Sequence, residues 1–417
     1  MEDALEESRF TARYNLAESG SRPATVAELL LGAGLTSDEV ARGFLETTLR
    51  DSPNWGREDL RARVAALHPG SAIDHVLITT GTSEALFLLF RALRPRTTAL
   101  AWPAFQLLYE VPASLGSAIV RLPVRWTAAG APFFELAEWL AILERERPDC
   151  VVLNFPHNPS GLMPQAEVLD ALVERALAIG AVVIGDEHYR FLASDTAALG
   201  PTVFRPSPRV FVTGSYIKCL GCPGLRIGWC VGAGTDVLGA MQSEKNYVTH
   251  TVNPITEWIS LELLRDVTAP VWAEHRRMWR ENRQALASAL VRSSALHGAA
   301  PEGGLVTCVG LEGARSRHEA DERLAAIKQA GIAVLALELM ELGRDAGASH
   351  PAHPEPSAIE RGWGFRMGLG AEPSLFRRAL ATLERVCADP PVARAAGPQD
   401  LPQDLPPDPP GGLHDRR

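Results

Sequence analysis

One lysine constrains this chain more than any other feature. Lys218 stands in a glycine- and proline-rich loop, Ser215 to Trp229, between the apolar runs Val210-Phe211-Val212 and Ile227 to Val231. Short apolar runs bounded by turn residues read as buried strands. Any fold for this chain must therefore hold a primary amine between two pieces of core. An amine in apolar surroundings loses part of its proton affinity and becomes a nucleophile near neutral pH. Ser215 precedes Lys218 by three residues and Arg226 follows it by eight. A hydroxyl and a planar guanidinium fork around one amine suit a phosphate. The competing reading, a surface lysine beside a turn, fits the loop composition but not the apolar runs on either side.

The aldehyde cofactor that carries a phosphate and condenses with lysine is pyridoxal phosphate, and the upstream chain supplies the remaining groups it needs. His75 to Thr80 reads as a strand, and Gly81-Thr82-Ser83 opens an apolar helix to about Leu93. Free amides and the helix dipole make such an N-terminus an anion site, although Thr82 or Ser83 could equally cap the helix. A second strand, Thr98 to Trp102, ends at Pro103-Ala104-Phe105. A third, Asp149 to Phe155, closes on Pro156-His157-Asn158-Pro159-Ser160-Gly161. There Asn158 offers an amide donor to a ligand oxygen, or forms an Asx turn with no ligand. A fourth apolar strand ends at Asp186. A carboxylate so placed needs a partner, and a protonated pyridine nitrogen is one; capping a helix is the alternative. Tyr189 follows three residues on, placed to donate to the ring oxygen.

Composition narrows the class. The chain has 417 residues, of which 46% are hydrophobic and 22% charged, with a formal net charge of −9 and a pI near 5.7. That is an ordinary globular profile, and it argues against nucleic acid as a partner. No apolar run reaches the roughly 18 residues of a bilayer span. The acidic opening Met1 to Glu7 lacks the apolar centre of a signal peptide, so a cytoplasmic location is expected. The six cysteines then read as reduced thiols. Cys219-x-x-Cys222 lacks the second close pair of a zinc site, and no metal is expected. Helices are expected over Thr25–Leu31, over Ser37–Leu49 with Ser37 at its start, and from about Pro270 to Val291.

The run Ser-x-x-Lys followed by Gly-x-Pro-Gly-Leu-Arg-x-Gly resembles the lysine loop of class I/II aminotransferases, the fold-type I pyridoxal phosphate enzymes. Asn158, Asp186-x-x-Tyr189 and Ser215-x-x-Lys218…Arg226 follow in the family's order, each at a strand end, as sites of open α/β sheets require. The resemblance implies that Phe105 lies over the cofactor ring and that Arg366, in the late strand Gly364 to Gly370, binds the substrate α-carboxylate. A solvent-facing arginine on a sheet edge is the alternative for Arg366. It further implies an α/β fold with a large cofactor-binding domain (45–285), a small α+β domain (286–388) joined by the N-terminal segment (1–44), and a homodimer. The family's phosphate-contacting tyrosine, five residues before Gly56, is replaced by Asp51; Ser52, Asn54 or Trp55 are the residues left to fill that space. The Pro-rich tail, 389–417, cannot bury a core and is expected to be disordered.

Within the family, the phrases Arg50 to Gly56, Phe155 to Pro159 and Tyr247-Val248-Thr249 resemble a branch that closes a ring on a hydroxylated arginine. Tyr189 departs from that branch and fits an ordinary aminotransferase. Glu18 and Ser19 lie in the N-terminal segment that covers the distal end of the substrate in this fold, and Glu18 offers a carboxylate to a guanidinium. A solvated surface glutamate is the alternative. Three readings follow: a cyclase, an aminotransferase, and a non-catalytic ligand-binding module of the same fold.

Overall fold

The computed structural model describes residues 2–193, 197–340 and 357–388; the tail from Asp389 lies outside them. The chain opens with helix α1 (Glu2–Arg9), followed by α2 (Val26–Gly32), α3 (Ser37–Glu46) and α4 (Glu58–Ala66). The Thr25–Glu28 capping box forms as its spacing predicts. The next helix corrects the expectation at Ser37: Thr36 is the cap, its hydroxyl accepting from Glu39 N, and the helix stops at Glu46. Thr36 is three residues before Glu39 and Ser37 is not, so only Thr36 can close a box.

A seven-stranded sheet forms the centre. Its strands are β1 (Val76–Thr79), β2 (Thr97–Trp102), β3 (Ala118–Pro123), β4 (Cys150–Asn154), β5 (Val182–Asp186), β6 (Val210–Gly214) and β7 (Gly228–Gly232). Their order is β1-β7-β6-β5-β4-β2-β3. All neighbours are parallel except β7, which runs antiparallel to both β1 and β6. Strands β4, β6 and β7 are buried along their whole length, which is why they read as unbroken apolar runs rather than alternating ones. The antiparallel β7 is the strand that returns from the lysine loop, so the loop joins two adjacent strands. Helix α5 (Thr82–Leu93) leaves β1 after a tight turn, and the long helix α6 (Pro270–Arg292) leads to a second sheet.

That sheet has the order β8 (Leu296–Gly298), β9 (Val306–Leu311), β11 (Gly364–Gly368), β10 (Leu335–Ala336). It carries a separate core that includes Leu286, Val309, Phe365, Phe376 and Leu383. The N-terminal segment serves both parts. Tyr14 and Leu16 pack into the second core, and Tyr14–Asn15 pairs in parallel with Ile332–Ala333. Leu29 and Leu30 pack into the core of the large sheet. Among the described residues no helix is long and apolar enough to cross a membrane.

Candidate active site

Strand register brings three polar side chains to one level at the carboxyl ends of the central strands. Asn154 on β4 is paired with Asp186 on β5, and Asp186 with Thr213 on β6. Asn154 Nδ2 donates to Asp186 Oδ2 at 3.0 Å, and Thr213 Oγ1 donates to Oδ1 at 3.3 Å. These two bonds hold the carboxylate in place but carry no charge. Burial therefore raises Asp186 to about 7, against the donation from Thr213 and with the adjacent Glu187 adding to the rise. No helix starts at Asp186, so it caps nothing; the next short helix begins at Arg190. The Tyr189 hydroxyl donates to the Ser19 carbonyl at 2.7 Å, and burial raises it to about 12.

On the other side of the site, α5 presents its N-terminus without a side-chain cap. The capping alternative for Thr82 and Ser83 does not occur: Gly81 is the cap residue, at φ +86, and Thr82 Oγ1 lies 3.0 Å from His188 Nδ1. A side chain at Gly81 would put its Cβ 2.7 Å from the Arg226 guanidinium, so only glycine lets that arginine approach the helix end. Ser215 takes a different place from its sequence expectation. Its hydroxyl donates to the Ile227 carbonyl at 2.7 Å and accepts from Ile217 N at 3.2 Å, which braces the lysine loop internally.

The N-terminal segment closes the third side. Ser21 N donates to the Lys218 carbonyl at 2.7 Å, and Ser21 Oγ donates to the Cys219 carbonyl at 2.8 Å. Ala24 N reaches the Gly221 carbonyl at 2.9 Å, and Arg22 N reaches Gly370 O at 2.6 Å. Arg366 is 1% exposed and lies on β11 between β9 and β10, not on an edge. Its guanidinium donates to the Ala17 carbonyl at 2.6 Å and to Asn158 Oδ1 at 3.3 Å. Asn158 is thus tied to the arginine through its acceptor oxygen, which leaves its amide group for a ligand.

One cavity of about 880 Å³ collects these groups. It is lined by Lys218, Asp186, Tyr189, Thr82, Ser83, Phe105, Asn158, Arg226, Arg366, Glu18 and Ser19. Ser215 and residues 51–55 are not among its lining residues. The cavity is also lined by residues that the sequence does not single out, Asn154 and His188 beside the carboxylate and Arg9, Arg13 and Arg22 from the N-terminal segment. Asn154 had a signal, a polar side chain ending an apolar strand beside Asp186. His188 had none: its ring is held neutral, pushed down to about 3 by burial and by Lys218 and Arg226 nearby. The six cysteines are free and buried.

These residues fit pyridoxal phosphate. The cavity has an amine, an uncapped helix N-terminus approached by an arginine, and a buried carboxylate that lacks a cationic partner and would gain one from a ring nitrogen. Residues 30–350 match the family described as aminotransferase class I and II. The chain belongs to that family. It is 32% identical over 318 residues to capreomycidine synthase of Streptomyces vinaceus, a match covering 73% of this chain and 77% of the relative. It is 27% identical over 332 residues to an arginine–pyruvate transaminase of Pseudomonas aeruginosa, covering 76% and 78% of the two chains. Among solved structures, a pyridoxal phosphate-dependent aminotransferase from Streptococcus suis superposes with a TM-score of 0.77 at 19% identity, over 92% of this chain and 96% of that one. The pyridoxal phosphate-dependent cyclase OrfR gives 0.76 at 23% identity, over 93% and 96%. The fold is that of fold-type I aminotransferases, and the protein is a pyridoxal phosphate-dependent enzyme acting on amino acids. The non-catalytic alternative is set aside.

Proposed function

We propose that this enzyme closes a ring on a hydroxylated arginine, as the likeness to capreomycidine synthase suggests. The observation that carries the reading is Glu18. It lies on the same cavity as Lys218 and Arg366, and it already pairs with a guanidinium, that of Arg9, at 2.9 Å. When bound, pyridoxal phosphate supplies an electron-withdrawing ring that stabilises negative charge at the substrate α-carbon. Thr82, Ser83 and Arg226 would hold its phosphate, Phe105 would give its ring an apolar surface, and Asn158 and Tyr189 would face its ring oxygen. The Asp186 carboxylate would pair with the ring nitrogen and favour its protonated form. Arg366 orients the substrate α-carboxylate through its planar fork. Lys218 Nζ removes the α-proton, which it can do only as the free amine. Ser19 and Glu18 hold the distal end, Glu18 by a charge-assisted pair with the guanidinium. The β-hydroxyl then leaves as water with one proton, a guanidino nitrogen bonds to the β-carbon and releases its own proton, and Lys218 Nζ returns a proton to the α-carbon. The net change is the loss of one water, with no amino acceptor.

Tyr189 favours a second reading, an ordinary aminotransferase, which the same cavity would serve with a 2-oxo acid as acceptor. Incubation with arginine derivatives and common amino acids, with and without 2-oxoglutarate, separates the two by product mass. Loss of water without acceptor supports cyclisation. Keto-acid formation that requires the acceptor and shows no preference for guanidino substrates overturns it.

The reading includes a cytoplasmic homodimer. Leu49, Tyr247 and Val248 are exposed large apolar residues. The loops that carry them touch: Lys245 Nζ donates to the Asn54 and His250 carbonyls at 3.0 Å, and Asn54 Nδ2 to Asn246 Oδ1 at 2.6 Å. A braced apolar surface of this kind suits a subunit contact.

A further inference from the structure

Arg9 ends helix α1 at the mouth of the cavity. Its Nε donates to Glu18 Oε1 at 2.9 Å, and its Nη1 donates to Glu6 Oε2 at 2.5 Å. Both Arg9 and Glu18 line the cavity, and so does the next residue, Phe10, which is 83% exposed. The carboxylate assigned to the substrate is therefore in contact with a guanidinium of the chain itself.

We infer that Arg9 is an internal competitor for the guanidinium subsite, occupying Glu18 until a substrate guanidinium displaces it. The inference rests on the reading of Glu18 given above.

The physical case has three parts. The two groups are chemically the same, so whatever geometry lets Glu18 accept Arg9 also suits an arginine side chain. The incoming fork can meet both carboxylate oxygens in parallel bonds, whereas Arg9 engages Glu18 through Nε and shares its guanidinium with Glu6. The pair is also cheap to open. Arg9 and Glu18 keep 37% and 29% of their side-chain surface exposed, and ion pairs at such exposure hold weakly. Among the described residues, helix α1 is held by Leu5, packed with Ala17, Ala333, Leu335 and Met340, by Ala4 against the same cluster, and by a surface pair between Lys328 and Glu7 at 2.7 Å.

The consequence is selective. A ligand that needs Glu18 binds only to the fraction of molecules in which Arg9 has let go, so its apparent affinity is reduced by that fraction. A neutral isostere that does not engage Glu18 is not discounted.

The test uses the cofactor-loaded enzyme, with L-arginine and its neutral isostere L-citrulline as ligands, followed by the change in cofactor absorbance. Arg9→Gln is expected to tighten arginine binding by about three- to five-fold and to leave citrulline unchanged. In the wild type, arginine but not citrulline is expected to speed hydrogen exchange at the amides of residues 5–12. Arginine binding that is unchanged or weaker in Arg9→Gln, equal tightening of both ligands, or exchange that arginine does not alter each overturns the inference. Glu18→Gln distinguishes the two levels. If it leaves arginine binding unweakened, the guanidinium subsite itself falls and the competitor with it. If it weakens arginine while Arg9→Gln does not tighten it, the subsite stands and only the role of Arg9 is overturned.

Discussion

Asn154 and Asp186 face each other across two parallel strands, Cα paired to Cα, with the Asn154 amide 3.0 Å from the Asp186 carboxylate. The amide fixes the carboxylate without neutralising it, so a proton remains to be supplied. Without a cofactor, Asp186 takes that proton from water, which is why burial raises it from 3.8 to about 7. An acid raised in the folded state favours folding fully below its unfolded value, and that support is lost as pH rises through its folded value. The cofactor-free enzyme should therefore lose this contribution between about pH 4 and pH 7, on the order of 4 kcal/mol. Asp186→Asn should remove the loss, so that the variant gains stability relative to wild type across that window. Denaturant melts of both cofactor-free proteins at several pH values measure it, and parallel pH profiles would refute the assignment.

Lys218 should carry the cofactor. The purified enzyme should be yellow, and borohydride should bleach it and fix the label on the peptide containing Lys218. Lys218→Ala should still take up pyridoxal phosphate through the α5 N-terminus and Arg226, give no fixed label, and lose turnover by several orders of magnitude. A fixed label on another peptide is the outcome that removes Lys218 from this role.

Arg366→Lys should raise KM for the amino acid more than it lowers kcat. The guanidinium is held flat by Ala17 O and Asn158 Oδ1, which aims its remaining donors. A lysine keeps the charge but not the fork, and a lost charge-assisted bond costs about 1.5–3 kcal/mol, or roughly ten- to hundred-fold in KM. Steady-state kinetics with one substrate checks it; an unchanged KM would mean that the carboxylate is bound elsewhere.

Tyr247→Asp combined with Val248→Asp should convert a dimer to a monomer. Tyr247 is 92% exposed in the protomer, and two charges cost little in water but much in a buried contact. Light scattering on variant and wild type measures the outcome, and a variant that stays dimeric places the subunit contact elsewhere.

The lysine loop, the apolar strands and the order of Asn158, Asp186, Tyr189, Lys218 and Arg226 could be read from the sequence because each depends on local rules. Strand ends, turn residues and a cofactor's donor set leave marks within ten or fifteen residues. The family followed from those marks. Tertiary structure alone decided what each side chain does once strands are in register. Ser215, three residues from Lys218, turns its hydroxyl to the carbonyl of Ile227, which the lysine loop brings back beside it just before β7. Asn154 meets Asp186 across a gap of 32 residues, and Arg366 meets Asn158 across 208. Arg9 and Glu18 are only nine residues apart, yet no local rule joins a helix end to an irregular strap. That contact exists because Leu5 and Leu16 are each drawn into the cores beside the second sheet, which sets the two charges face to face at the mouth of the cavity.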